Sequence, residues 1–222
     1  MRSVYVTGTD TGIGKTRSSA ALLHAWRARG LRAVGMKPVA SGCDRIDGEW
    51  RNEDALALSE ASDPRPAYRD CNPFALRLPL APELAARDAG IDVRLQPILD
   101  AHARLAASAD IVVVEGVGGW AAPLSASLMQ ADLVHALDLP VVLVVGLRLG
   151  CLNHALLSAR AIAADGCRLV GWIANGIDPG MDAVEDNIAM LRERLPAPCW
   201  GCLPFDPAAG AVAFSRLLHL PA

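Results

Sequence analysis

Apolar positions along the chain fall into two alternating kinds of run. Five are short, rich in β-branched residues and apolar almost throughout: SVYVTG (3–8), LRAVGMKP (31–38), DIVVVEG (110–116), LPVVLVVG (139–146) and RLVGWIAN (168–175). A strand exposed on one face alternates apolar and polar positions. Continuous apolar runs instead predict parallel strands covered on both faces. Between them lie longer Ala/Leu-rich segments with helical spacing, at 15–29, 52–61, 95–108, 126–138, 153–165 and 181–195. The alternation predicts an α/β fold: one doubly wound domain over residues 1–222, a mostly parallel sheet flanked by helices. Five prolines between 64 and 82 predict an ordered surface loop there. No repeat, low-complexity tract or linker interrupts the pattern.

Composition narrows the function. At 222 residues and 52% hydrophobic, the chain suffices for one sizeable core. A net charge of −3 and a pI near 5.9 leave no electrostatic footprint for nucleic acid or an anionic membrane. The longest apolar run, LPVVLVVGL, is less than half of the ~20 residues a membrane helix needs. The N-terminus enters a strand-like run with no signal-peptide pattern, so a soluble cytoplasmic protein is expected. Of six cysteines only Cys199 and Cys202 are closely spaced. With no second pair after them, CWGC is expected to be structural. The histidines show no zinc-binding spacing.

In such folds ligands bind at the carboxyl ends of the strands. The first strand runs into GTDTGIGKT (8–16). The usual phosphate loop has four residues between its outer glycines. Here five separate Gly8 from Gly14, so Thr9 takes the ordinary first-glycine position. The working parts are present: Gly12 and Gly14 permit close backbone approach, Lys15 reaches phosphates, and Thr16 offers a hydroxyl to a metal. A helix follows, its N-terminus adding a favourable dipole. A plain glycine-rich turn has no need of Lys-Thr at its exit. Glu115 closes a buried-looking strand before GVGG (116–119), which favours a role near a metal over a surface acid. Asp54, in RNEDALAL, reads from sequence as an acid at a helix N-terminus.

Only two of the 21 basic residues are lysine, Lys15 and Lys37. A chain that otherwise uses arginine has kept lysine where a compact point charge differs from a planar fork. Lys37 lies in GMKPVASG, where Pro38 restricts it to extended backbone. Ser41 follows four residues on, near enough for a turn to return its hydroxyl to the same cavity.

Taken together, VTGTDTGIGKT, GMKPVASG, RNEDALAL, VEGVGGW, VVGLRLGCLNHA and GWIAN resemble, in order and spacing, the motifs of the dethiobiotin synthetase family. The resemblance runs from residue 4 to about 205. It implies a P-loop-type ligase of biotin synthesis that uses ATP and Mg²⁺ to convert 7,8-diaminononanoate and CO2 to dethiobiotin, ADP and phosphate. By position it implies that Gly12, Ile13, Gly14, Lys15, Thr16 and Arg17 wrap the phosphates. Thr16, Asp54 and Glu115 would hold metal, with Gly116, Val117 and Gly118 alongside the nucleotide. Lys37 would be the catalytic lysine, assisted by Lys15, and Thr11 and Ser41 would contact the diamine. It also implies a homodimer in which the backbone amides of Gly150, Cys151, Leu152 and Asn153 meet the substrate carboxylate across the interface. Read alone, Asn153 is a helix start.

The chain departs from the family in places. Gly12 stands where relatives often carry a carboxylate. The base-reading pair, often Asn-Asp, is Asn175-Gly176, and Ala211 replaces an acid. Pro204, Phe205 and Asp206 align with the segment that reaches base and ribose, so use of other nucleoside triphosphates is a live expectation. The competing readings are a regulatory ATPase, a glutamine-dependent amidating ligase and a non-catalytic nucleotide switch. The first would carry an extra loop lysine and the second a further domain. The third is opposed from sequence only by Lys37 and Ser41.

Overall fold

The computed structural model describes residues 3–221. The chain opens with β1 (Ser3–Gly8), turns through the glycine-rich loop into α1 (Lys15–Arg27) and returns in β2 (Ala33–Met36). After Lys37 it leaves the sheet for a long excursion. This comprises β3 (Val39–Ser41), the hairpin β4 (Asp44–Ile46) and β5 (Glu49–Arg51), α2 (Glu53–Ala61), α3 (Tyr68–Cys71), β6 (Phe74–Leu76) and α4 (Pro82–Ala89). Helix α5 (Leu95–Ser108) leads back to β7 (Ile111–Glu115). A small hairpin, β8 (Pro123–Ser125) and β9 (Leu128–Met129), precedes α6 (Gln130–Leu137). The rest alternates: β10 (Val141–Leu147), α7 (Cys151–Ala164), β11 (Leu169–Gly176), α8 (Val184–Arg194), β12 (Cys199–Leu203) and α9 (Ala211–Ser215).

Six strands form one parallel sheet in the order β12-β11-β10-β1-β7-β2. All five expected strands are in it. The sixth, β12, carries the CWGC segment; two cysteines and a glycine in five residues gave it no apolar run to read. Strands β1, β7 and β10 are buried along their whole length. Successive residues face opposite cores, as the twofold strand period requires. Val4 and Val6 pack with α1 and α2, whereas Tyr5 packs on the other side with residues of α4, α5 and α6. Helices α7 and α8 cover the β10–β11 part of that second face. Each fully buried Val, Leu or Ile contributes roughly 1.5–3 kcal/mol by removal from water.

The six expected helices are present within a few residues, α4 and α9 were not expected, and two further differences are informative. The run 126–138 is helical only from Gln130, because Leu128–Met129 pairs back on Pro123–Ser125. The segment 64–82 is not a plain loop. It contains α3 and β6, and β6 pairs with β3 just beyond Lys37. Its prolines flank these short elements without interrupting them.

Sheet order decides the site. The chain crosses from β1 to β2, fills the gap with β7, then continues on the far side of β1 at β10. The carboxyl ends of β1, β7 and β2 therefore lie side by side, next to the reversal of strand order between β1 and β10. Met36 pairs with Val114, which sets Lys37 level with Glu115.

Candidate active site

A cavity of about 360 Å³ lies over these strand ends, lined among others by Thr11, Lys15, Lys37, Ser41, Asp54 and Glu115. Helix α1 starts at Lys15 with Gly14 as its N-cap, and no side chain caps it. The first N–H groups of a helix have no partner within it. Here they face the cavity with the positive end of the helix dipole, an anion site built from backbone. Gly14 has φ +84°, and a Cβ there would lie 2.1 Å from Asn175 Nδ2. Both backbone angle and space therefore demand glycine.

Lys15 is buried and its Nζ donates to the Asp10 carbonyl at 2.8 Å. Burial, with repulsion from Lys37, lowers its pKa to about 8, against the pull of Glu115, Asp54 and Asp10. The Asp10 carboxylate accepts from the Thr11 amide at 2.7 Å and from Arg148 Nη2 at 2.6 Å, which tie the loop down.

Lys37 is 3% exposed. Its ammonium donates to Glu115 Oε1 at 2.6 Å and to the Gly116 carbonyl at 3.1 Å, and pairs with Asp54 Oδ2 at 3.0 Å. Burial disfavours the charge, but Glu115 and then Asp54 outweigh it, so the Lys37 pKa is raised. Asp54 titrates in the opposite sense. Burial resists its charge, and Lys37 with the Thr16 hydroxyl overcomes that and lowers its pKa. Asp54 owes its place to Asn52, the N-cap of α2, whose Oδ1 accepts from the Asp54 and Ala55 amides.

Thr16 Oγ1 lies 2.7 Å from Asp54 Oδ1 and 2.9 Å from Glu115 Oε1. A hydroxyl has one proton, so it can satisfy only one of two carboxylates. Glu115 is fully buried and its Oε2 has no hydrogen-bond partner. Two carboxylates and a hydroxyl with unspent acceptor capacity form a hard oxygen set suited to Mg²⁺. No group of three or more His, Cys, Asp or Glu arranged for a metal exists among the described residues. Two carboxylates and one hydroxyl would leave positions in such a shell for phosphate oxygens and waters.

The remaining expected residues separate into three groups. Ser41 and Thr11 border both this cavity and a second one of about 640 Å³, walled by Pro79, Leu80, Ala81, Val117 and Ala122. Ile13 is 1% exposed and packs in the core, leaving only its backbone to a ligand. The Arg17 guanidinium sits 4.9 Å above the Phe214 ring, so its side chain points to α9 and not to the phosphate site.

Asn175 is buried at the end of β11 and its Nδ2 donates to the Ile13 carbonyl at 2.8 Å, while its Oδ1 has no hydrogen-bond partner. A Cβ on Gly176 would meet the Phe205 amide nitrogen at 2.5 Å. The 203–205 backbone therefore occupies the room an acid at 176 would need. These residues adjoin the phosphate loop but do not line the 360 Å³ cavity. Gly150–Asn153 do not line that cavity either. Helix α7 begins at Cys151 with Gly150 as N-cap, two residues earlier than the sequence suggested, so Asn153 lies within the first turn. Neighbouring Leu149 is 95% exposed.

Sequence reading missed the clamp on Lys37. The Lys37 amide donates to the Cys71 carbonyl at 2.7 Å, and its carbonyl accepts from Asn72 Nδ2 at 2.6 Å. Tyr68 OH bonds Asn72 in turn and accepts from the Asn52 amide. Asn52 carried a readable N-cap signal in RNEDALAL, whereas Tyr68 and Asn72 lay in the proline-rich segment with no pattern to mark them.

A parallel sheet with a lysine-bearing phosphate loop after β1, a carboxylate at the end of β7 and a second in the first turn of α2 defines a P-loop nucleotide-binding protein. A sequence-family model described as "AAA domain" matches residues 2–213. Two solved structures share the fold. A ParA family ATPase from Chlorobium tepidum has a TM-score of 0.58 at 15% identity, over 98% of this chain and 91% of that one. The MinC:MinD cell division protein complex of Aquifex aeolicus gives 0.56 at 18%, over 97% and 86%. Sequence separates this chain from those relatives in fold. It is 67% identical to the ATP-dependent dethiobiotin synthetase BioD of Xanthomonas oryzae pv. oryzae, over 98% of this chain and 97% of that protein. It is 64% identical to the protein of that name from Xylella fastidiosa, over 99% and 97%. The chain belongs to the dethiobiotin synthetase family.

Proposed function

We propose that this protein is an ATP-dependent dethiobiotin synthetase, a ligase that closes the ureido ring of dethiobiotin from 7,8-diaminononanoate and CO2. The observation that carries the reading is the convergence of Lys15, Lys37, Thr16, Asp54 and Glu115 on one cavity that opens onto an apolar-walled neighbour. A switch that only binds nucleotide has no use for the second lysine or for that neighbouring cavity.

One amine of the substrate captures CO2 as a carbamate. The γ-phosphoryl group then passes to a carbamate oxygen, giving a mixed anhydride and ADP. The second amine attacks the carbonyl carbon, expelling phosphate and closing the ring. The first two stages bring anions together, so the protein acts by positioning and charge neutralisation. The α1 N-terminus and Lys15 take the phosphates. Lys37 takes the carbamate side, its ammonium held in place by Glu115, Asp54 and Gly116. Mg²⁺, held through Thr16, Asp54 and Glu115, would neutralise charge on the β- and γ-phosphates. Thr11 and Ser41 contact the diamine, and the apolar wall suits its hydrocarbon chain.

The base and ribose fall to Asn175, Gly176, Pro204, Phe205 and Asp206, largely through backbone, which admits nucleoside triphosphates other than ATP. The substrate carboxylate is met by the Gly150–Asn153 amides of a second copy, making the working unit a homodimer. Residues 1–222 act as one domain, in the cytoplasm. Phosphate release by the pure protein, with bicarbonate and ATP and with or without the diamine, tests the reading. Release that requires the diamine is expected; equal release without it overturns the ligase assignment.

A further inference from the structure

Gln130, the first residue of α6, is completely buried and lies outside every site considered so far. Its amide uses all four of its hydrogen-bonding positions. Oε1 accepts from Tyr5 OH at 2.6 Å and from the Val117 amide at 3.1 Å. Nε2 donates to the Gly119 carbonyl at 2.5 Å and the Trp120 carbonyl at 3.2 Å. Three of the four bonds go to the backbone of residues 117–120, the strap that leaves β7 directly after Glu115. The fourth, to Tyr5, ties that strap to the central strand. A Cβ on Gly116 would lie 2.2 Å from Gln130 Oε1, so glycine at 116 lets the side chain pass close beneath.

The strap is the shared wall of both cavities: Val117 and Gly118 line each of them. At its start the Gly116 carbonyl accepts from Lys37 Nζ at 3.1 Å. We propose that Gln130 is a positioning residue for the ring-closing reaction. By pinning 117–120 it fixes one acceptor of the Lys37 ammonium and the wall against which the diamine lies. No part of Gln130 reaches the cavity, so it acts only through the strap. Glutamine suits this place because it offers two donors to carbonyls and an acceptor to an amide and a phenol; no other uncharged side chain of its length does.

This inference rests on the proposed reaction for its kinetic part and on geometry alone for the pinning part, so two readouts separate them. Amide hydrogen exchange of the Gln130→Leu protein should lose protection at 117–120 while β7 and β10 keep theirs. In the kinetics, kcat should fall ~10–100-fold, as for a misplaced catalytic group. The KM values for the diamine and for ATP should both rise, since Val117 and Gly118 wall the phosphate-loop cavity as well as its neighbour. Gln130→Glu is the second variant. Its ionised carboxylate would face the Gly119 and Trp120 carbonyls without a donor, and its protonated form restores one. Its activity should therefore recover toward wild type as pH falls, unlike that of Gln130→Leu. The titratable groups around it are Tyr5 on β1, Asp132 and His135 on α6, Asp165 bonded to Trp120 of the strap, and Lys37 and Glu115 at the strap's start. All are common to the three proteins, so the difference profile reports the substituted side chain. Unchanged exchange at 117–120, or a kcat that merely tracks the folded fraction, overturns the role of Gln130. Wild-type protein without diamine-dependent phosphate release overturns the reaction, and the exchange result then decides the pinning separately.

Discussion

The Lys37 ammonium lies 2.6 Å from Glu115 Oε1, a fully buried carboxylate one strand away, and 3.0 Å from Asp54 Oδ2. The lysine occupies the space between the two carboxylates that would hold a metal. Cation and lysine are thus set against the same pair of anions. Burying this cluster is tolerable because each charge has an opposite partner; removing one partner from such a cluster costs roughly 3–5 kcal/mol.

Lys37→Arg keeps the charge but replaces a point donor by a planar fork in a pocket with three oxygens converging on one nitrogen. Diamine-dependent phosphate release should fall ~10²-fold or more, the loss typical of one transition-state donor. Near-normal turnover would remove Lys37 from the chemistry.

Glu115→Gln takes one charged oxygen from the proposed metal set while leaving Asp54 to pair with Lys37. Titration with Mn²⁺ followed by electron paramagnetic resonance, with a non-hydrolysable ATP analogue present, should show affinity weakened ~10-fold or more. Equal affinity would exclude Glu115 as a ligand.

With no acid at 176 or 211, base recognition in the proposed reading would rest mainly on backbone groups. Rates with ATP, CTP and GTP should be comparable, and strict dependence on ATP would refute this. Gly176→Asp should not restore selectivity, because its Cβ would strike the Phe205 amide. Instead it should lower stability by about 1–3 kcal/mol, as overpacking does, read as a lower Tm by calorimetry.

In the proposed homodimer Leu149, 95% exposed beside the α7 N-terminus, would contact the second copy. Leu149→Glu should shift the protein toward monomer in sedimentation equilibrium and raise the KM for the diamine. A dimer of unchanged strength would place the interface elsewhere.

Cys199 and Cys202 face each other with sulfurs 3.9 Å apart. The hydrogen bond shared with Cys202, opposed by burial and aided by Arg192, lowers the Cys199 thiol below the ordinary cysteine range. The thiolate is the reactive form. Iodoacetamide at pH 7 should therefore label the Cys199–Cys202 pair before the other cysteines, by mass spectrometry, and more slowly as pH falls. A rate that instead rises only above pH 8 would mean an ordinary thiol.

Much of this protein was written locally. Continuous apolar runs gave five of six sheet strands, because a strand covered on both faces must be apolar throughout. The phosphate loop was legible because close backbone approach requires glycine at fixed offsets and phosphate requires a lysine beside them. The rarity of lysine singled out Lys37 before any geometry was known. What tertiary structure alone decided is which distant groups meet. Strand order placed Lys37 beside Glu115, 78 residues on, and helix capping by Asn52 brought Asp54 to the same point. The same packing turned Arg17 toward Phe214, spent the Asn175 amide on the phosphate loop, and laid 203–205 across Gly176. Tyr68, Asn72 and Gln130 had no local mark at all, since a buried amide or phenol is defined by partners far away in sequence. Periodicity and turn chemistry act over a few residues and can be read along the chain; hydrogen-bond partners are set by how the layers stack.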